Sequence, residues 1–341
     1  MNWGVKMEDK TKIHLTAAEM SSLWSQYIND TVSVCVLSYF LNNIDDKKVK
    51  EIVEFALGAS QKNISHLKEI FDREDFPYPM GFTKKDVNIH APRLFSDTFV
   101  MMYLRHMSIL GMAANIAAIG LGTRPDVINF HKSVLKSAIG LQDLTREAML
   151  EQGTYIRPPF ISVPDKVDFV EKQKFLSGIK SRRRALTSVE ITHLFMNIQT
   201  NQIGKALIMG FIQVAQDKEV KEYLQRGKKI AQKHVDLFSD ILKNNDIPAP
   251  LFWDSAVTDS TTQVFSDKLI SFHVSAMIAA GIGNYGAAMA ASPRKDIGLK
   301  YASLIPEIAL YAEDGANIMI KNSWLEEPPM ADDRDQLSGL T

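Results

Sequence analysis

The chain has 341 residues, which at about 150 residues per domain is room for two domains. Lys+Arg 39 against Asp+Glu 40 leaves a net charge of −1, so binding to nucleic acid or an anionic membrane through net positive charge is disfavoured. Apolar residues at 45% and charged residues at 23% fit a folded globular chain, and the single cysteine, Cys35, excludes an intrachain disulfide framework or a Cys-rich zinc site. One thiol fits a reducing, cytoplasmic compartment.

In chain order, Met1 to His14 is polar and charged, and reads as free of a secretory signal. A first helix opens at Thr16, with Glu19 three residues on as a capping box. A second begins near Asp46 and runs to Asp75-x-Pro77-x-Pro79. A long polar connection with prolines follows. A third helix begins after Ser96-Asp97 and ends in small residues. A fourth starts near Thr123, where Pro125 suits a first turn, and ends before Pro158-Pro159. No segment alternates like a half-buried strand over more than about six residues.

The second half repeats the first. At an offset of 171, Leu15–Phe82 lies on Leu186–Trp253 with 16 identities in 68 positions. After one deletion the match resumes at 170: Phe95-Ser96-Asp97 lies on Phe265-Ser266-Asp267, Gly111 on Gly281 and Pro158-Pro159 on Pro328-Pro329. The second set of helices therefore opens at Thr187 (with Glu190), Asp217, Ser266-Asp267 and Ser292, with Pro293 read as a first-turn residue. Four amphipathic helices per copy predict an all-α chain of two tandem four-helix bundles. The boundaries read as 11–152 for the first bundle, 153–185 for a linker, 186–330 for the second bundle and 331–341 for a disordered tail. The uncharged stretch Val274–Ala291 is rich in Ala and Gly, and reads as a buried core helix, not a membrane span. Pro306 falls inside the last helix, where it should kink it.

Most motif candidates reduce to packing. Gly281-Ile282-Gly283-Asn284-Tyr285-Gly286 matches G-x-G-x-x-G literally, but a dinucleotide fingerprint needs a strand before it, and here it lies within a helix. Cys35 sits in an apolar run and reads as an inert buried thiol. The basic run Lys180, Arg182, Arg183 and Arg184 reads as a solvated part of the linker. One polar set carries more. Glu190 and His193 share a helix face at i, i+3, Asn197 follows a turn later, and His234, His273, Glu307 and Glu313 come from the other three helices. In an up-and-down bundle Asn197, His234, His273 and Glu313 fall near one level, a layout able to hold Fe, Mn or Zn through imidazole and carboxylate. The aligned positions in the first copy, Ser22, Gln26, Asn63, Tyr103, Ser137 and Asp143, keep none of these histidines. His66 and His106 of that copy do not rebuild the set.

The duplicated Leu-Thr-x-x-Glu start, Pro92-Arg93-Leu94-Phe95-Ser96-Asp97-Thr98-Phe99, Tyr155-Ile156-Arg157-Pro158-Pro159-Phe160, the 281–286 run and Tyr311-Ala312-Glu313-Asp314-Gly315 carry a family resemblance. Over roughly residues 11–335 the chain resembles the tandem ferritin-like, spore-coat-like proteins of endospore-forming bacteria, a family of unknown function. The resemblance implies a ferritin-like fold and a spore-former setting, but no reaction. The family fold's ligand pattern has Glu on helices one and three and Glu-x-x-His on two and four, and this chain departs from it at nearly every position. Two functions are therefore expected against each other. The first is a non-catalytic binding or structural protein, with protein partners, self-association or an unidentified small molecule. The alternative is a metal-binding protein or metal-dependent oxidoreductase using Glu190, His193, His234, His273, Glu307 and Glu313.

Overall fold

The structure is a computed structural model that describes residues 13–178, 184–250 and 256–339. The first bundle is built from α1 (Ala17–Asn43), α2 (Lys47–Arg73), α3 (Asp97–Leu121) and α4 (Pro125–Glu151). The second is built from α5 (Ser188–Val214), α6 (Lys218–Lys243), α7 (Asp267–Ala291) and α8 (Lys295–Lys321). Among the described residues there is no strand longer than an isolated bridge. Most of the basic run (Lys180, Arg182 and Arg183) and Trp253 lie outside the described residues.

The helix starts follow the side chains. Thr16 and Thr187 form complete capping boxes with Glu19 and Glu190. Asp46, Asp217, Ser96 and Ser266 each accept a main-chain N–H of the first turn of their helices. Pro125 is the first residue of α4, but the N-cap of α8 is Arg294, so Pro293 precedes the cap instead of entering the first turn. Pro306 lies on the exposed side of α8, and its ring interrupts the helix hydrogen bonding toward solvent. The acidic tail is not wholly irregular: Arg334–Leu337 forms a single helical turn, α9, capped by Asp333.

Glu19 and Glu190 do more than cap. Glu19 is buried, and beyond Thr16 it accepts N–H donors from Thr123 and Arg124 at 2.8 Å each. Glu190 likewise accepts the Arg294 N–H at 2.9 Å, with a two-pronged Arg184 contact at 2.8 Å. Burial alone would raise both carboxyls, but these donors hold each at about 2. Each buried carboxylate thus ties the start of a bundle's first helix to the start of its fourth. Arg124 and Arg294, also buried, complete the same end through Asp126 and Asp296.

The two bundles pack against each other. The α2–α3 connection of each copy runs antiparallel to that of the other, with bridges Val87–Phe265 and Phe95–Val257. Four main-chain hydrogen bonds cross the seam: Asn88 N–H to Val264 O, Thr258 N–H to Leu94 O, Ser96 N–H to Ala256 O and Ser266 N–H to Asp86 O. Adding 170 to one member of each pair gives the partner of its counterpart. The interface is therefore isologous within one chain, a pseudo-two-fold. Aromatic rings also cross the seam, with Tyr39 against Phe265, Phe82 against Phe272 and Tyr103 against His273, backed within each copy by the equivalent rings Phe40 and Phe211. Gly210 is required here, because a Cβ would stand 2.5 Å from the Phe95 ring. Burying each ring contributes about 2 kcal/mol and each hydrogen bond about 1 kcal/mol, so the rings hold the seam while the hydrogen bonds set its register.

By length and composition α3 and α7 would pass for membrane spans. The stretch expected to be a buried core helix is in fact only one-sided. Val274, Tyr285 and Ala288 are buried, while Ala276, Ala279, Gly283, Ala287 and Ala290 are exposed. Small side chains give α7 close packing on one face and little to bury on the other.

Between the bundles, Phe160 and Phe169 are 88% and 87% exposed. Chymotrypsin should therefore cut first in the linker, and the two halves should still co-elute in size-exclusion chromatography. Separation of the halves without denaturant would show that the linker, not the seam, joins them.

A candidate ligand cavity in the second bundle

Both bundles carry a buried polar layer at aligned positions. In the first, Gln26 donates to Asp30 at 2.8 Å, Asn63 donates to Asp30 at 3.3 Å, and Asn115 donates to Gln26 at 3.4 Å. His131 joins it through Asn115 at 2.8 Å and Ser22 at 3.1 Å. Burial pushes the Asp30 carboxyl up to about 7, against the hydrogen bonds from Gln26, Ser60 and Asn63, and pushes the His131 imidazole down to about 4. Asp30, Asn115 and His131 carry no metal-ligand spacing in the sequence. Their aligned residues are Asn201, Tyr285 and Tyr301, of which only Asn201 is close in chemistry to its counterpart.

In the second bundle the layer is a directed chain. Lys233 holds the Glu307 carboxylate at 2.9 and 3.0 Å. Burial acts to raise Glu307, but Lys233 and His234 keep it below the usual carboxylate range. His234 is 1% exposed, and burial lowers its pKa against the opposing pull of Glu307. The network assigns its tautomer: Nε2–H donates to Glu307 at 3.1 Å, and Nδ1 accepts the Tyr285 hydroxyl at 2.9 Å. Tyr285 in turn accepts Asn201 Nδ2–H at 2.8 Å. A carboxylate–imidazole–hydroxyl chain has the outline of a catalytic triad, but burial pushes the Tyr285 phenol above its ordinary range, so it stays protonated.

Against this layer lies a cavity of about 90 Å³. Ile230, Val274, Met277, Ile278 and Ile308 form apolar walls, with His234, Tyr285 and Asn201 at one side and His106 and Leu110 of the first bundle at another. None of its lining residues is Asp, Glu, Lys or Arg. Gly204 and Gly281 line it from α5 and α7, and a Cβ at either position would meet nothing within 4 Å. The first glycine of the literal G-x-G-x-x-G run thus leaves space between helices and does not approach a phosphate.

The residues expected to converge do not. His234 and Glu307 meet. Glu190 has both oxygens engaged at the bundle end. His193 is half-buried, and its ring has no polar partner among the described residues. His273 lies on the inter-bundle seam, where Nε2 is 3.4 Å from the Tyr103 hydroxyl, Nδ1 is unpartnered, and burial lowers its pKa to about 4. Glu313 is exposed. Among the described residues no three His, Cys, Asp or Glu side chains are placed to share a metal ion. His273 faces the other bundle and Glu313 faces solvent, so neither joins the His234–Glu307 pair. Nor is the first copy plain, since its polar layer is as buried as the second.

Asp30 gives a pH test. Its folded pKa lies above its unfolded value of about 3.9, so its contribution to stability is fully present below pH 4 and is lost as pH rises through 7. Asp30→Asn should raise the melting temperature at pH 8 and change it little at pH 4. Equal effects at both values would show that Asp30 ionises normally.

No curated protein matches the chain. Of solved structures, a candidate spore coat protein of Bacillus halodurans matches at 18% identity and a TM-score of 0.41, over 44% of this chain and 98% of its own. The family model described as Protein of unknown function (DUF3231) matches twice, at residues 5–167 and 174–337. The two matches fall on the two bundles of the internal duplication, and the chain belongs to this family.

Proposed function

We propose that the protein is a non-catalytic binding protein, built of ferritin-like bundles, that holds a small neutral molecule in the cavity of its second bundle. The carrying observation is the lining: apolar walls and hydrogen-bonding groups with no charged side chain. Such a lining disfavours a free carboxylate, ammonium or metal cation, whose desolvation nothing there would offset. It suits an apolar body with one polar group. The volume is about three times a water's share of the liquid, which sets the ligand at roughly four to six heavy atoms. A reducing cell interior in spore-forming bacteria belongs to the same reading, supported by the lone buried thiol and the motif resemblance.

Xenon is a suitable first probe because it requires only apolar space. Saturable xenon uptake, followed by chemical-shift change in NMR, is expected for the natural protein. Gly281→Leu should abolish uptake and raise the melting temperature, since it fills the space and replaces a helical glycine that costs about 1 kcal/mol. No uptake by the natural protein, or unchanged uptake by the variant, would refute the reading.

A further inference from the structure

His106 is the one ionisable side chain that the first bundle contributes to the cavity of the second. It lies on α3, one turn past Tyr103, which faces His273 across the seam. It has no hydrogen-bond partner among the described residues, unlike His131 and His234, which have partners on both ring nitrogens. Burial and the neighbouring Arg105 push its imidazole down to about 4, so it is neutral at physiological pH. A neutral imidazole offers one donor and one acceptor.

The other polar groups at the cavity are largely committed. Asn201 spends its amide N–H groups on Asn197 O and Tyr285, leaving its side-chain oxygen as an acceptor. Thr200 donates its hydroxyl to Met196 O. His234 and Tyr285 satisfy one another. The His106 imidazole is thus the group with both hydrogen-bonding functions unspent. Its aligned residue in the second copy is Ala276, so the first bundle's own core receives no such group in return.

From this we infer that His106 recognises the polar head of the ligand, that the ligand class is small neutral alcohols, and that the site is complete only with both bundles in place. A hydroxyl can donate to one imidazole nitrogen, while its carbon body lies against Ile203, Val274 and Met277. An ether of the same size offers an acceptor alone, and a carboxylate brings a charge that the lining does not neutralise. The inference rests on the cavity reading above. It adds a head-group contact supplied from the neighbouring bundle.

The test compares n-butanol, its isomer methyl propyl ether and sodium butyrate as probes, titrated into the full chain and followed by NMR chemical shifts. The natural protein should bind butanol roughly three- to tenfold tighter than the ether, the span expected of one neutral hydrogen bond, and butyrate least. His106→Leu should lower the alcohol-to-ether ratio toward what the Asn201 side-chain oxygen alone supports while keeping ether binding, and His106→Gln should restore part of it. If the natural protein binds butanol and the ether equally well, the head-group role is overturned and the cavity reading stands. If it binds neither, both fail together. A ratio unchanged by His106→Leu in protein that still takes up the ether would also overturn the role.

Discussion

One buried carboxylate fixes each bundle's frame. Glu19 and Glu190 each bring together two helix starts whose free N–H groups would otherwise face a dry interior. A carboxylate can take several such donors at once, which no neutral side chain of similar size can do. Removing one leaves the donors unpaired, a loss of the order of 3 kcal/mol or more. Because the first and fourth helices are locked at this end, the polar layer lies further along the bundle, and in the second copy the cavity lies against that layer.

The frame was legible because capping is local. Thr16, Asp46, Ser96 and their copies announce helix starts within three or four residues, and the 171-residue offset shows that the pattern occurs twice. The polar layers were half legible. His234 and Glu307 stood out as residue types associated with metals, but of their actual neighbours Tyr285 read from sequence as part of a glycine run and Asn201 gave no signal. Asp30 was invisible, because one aspartate in a helix says nothing about its burial. The seam was not legible at all. Its residues lie in two proline-bearing connections, and nothing local records that residue 88 meets residue 264. His273 was misplaced for that reason, since it was assigned to a bundle core when it faces the other bundle.

The contrast between the copies also has a physical origin. At the Asp30 position the second copy carries Asn201, at the Asn115 position Tyr285, and at the Ser33 position Gly204. The first layer is compact and spans its core with short amides and a carboxyl. The second replaces them with a larger phenol anchored to His234 and leaves room beside it through two glycines. The first bundle holds a buried acid, and the second holds a space.

Tyr103 and His273 occupy aligned positions and face each other near the pseudo-two-fold axis. In a symmetric pair of separate, identical repeats, the residue at this position would face its own copy. Two phenols or two imidazoles would be the available outcomes, and a phenol opposite an imidazole would not. Joining the halves in one chain makes that pairing accessible. It likewise lets His106 be supplied to one cavity without a counterpart being returned. Here the chain's duplication does what a dimer of identical subunits is barred from doing by its own symmetry: it lets the two sides of one interface become different.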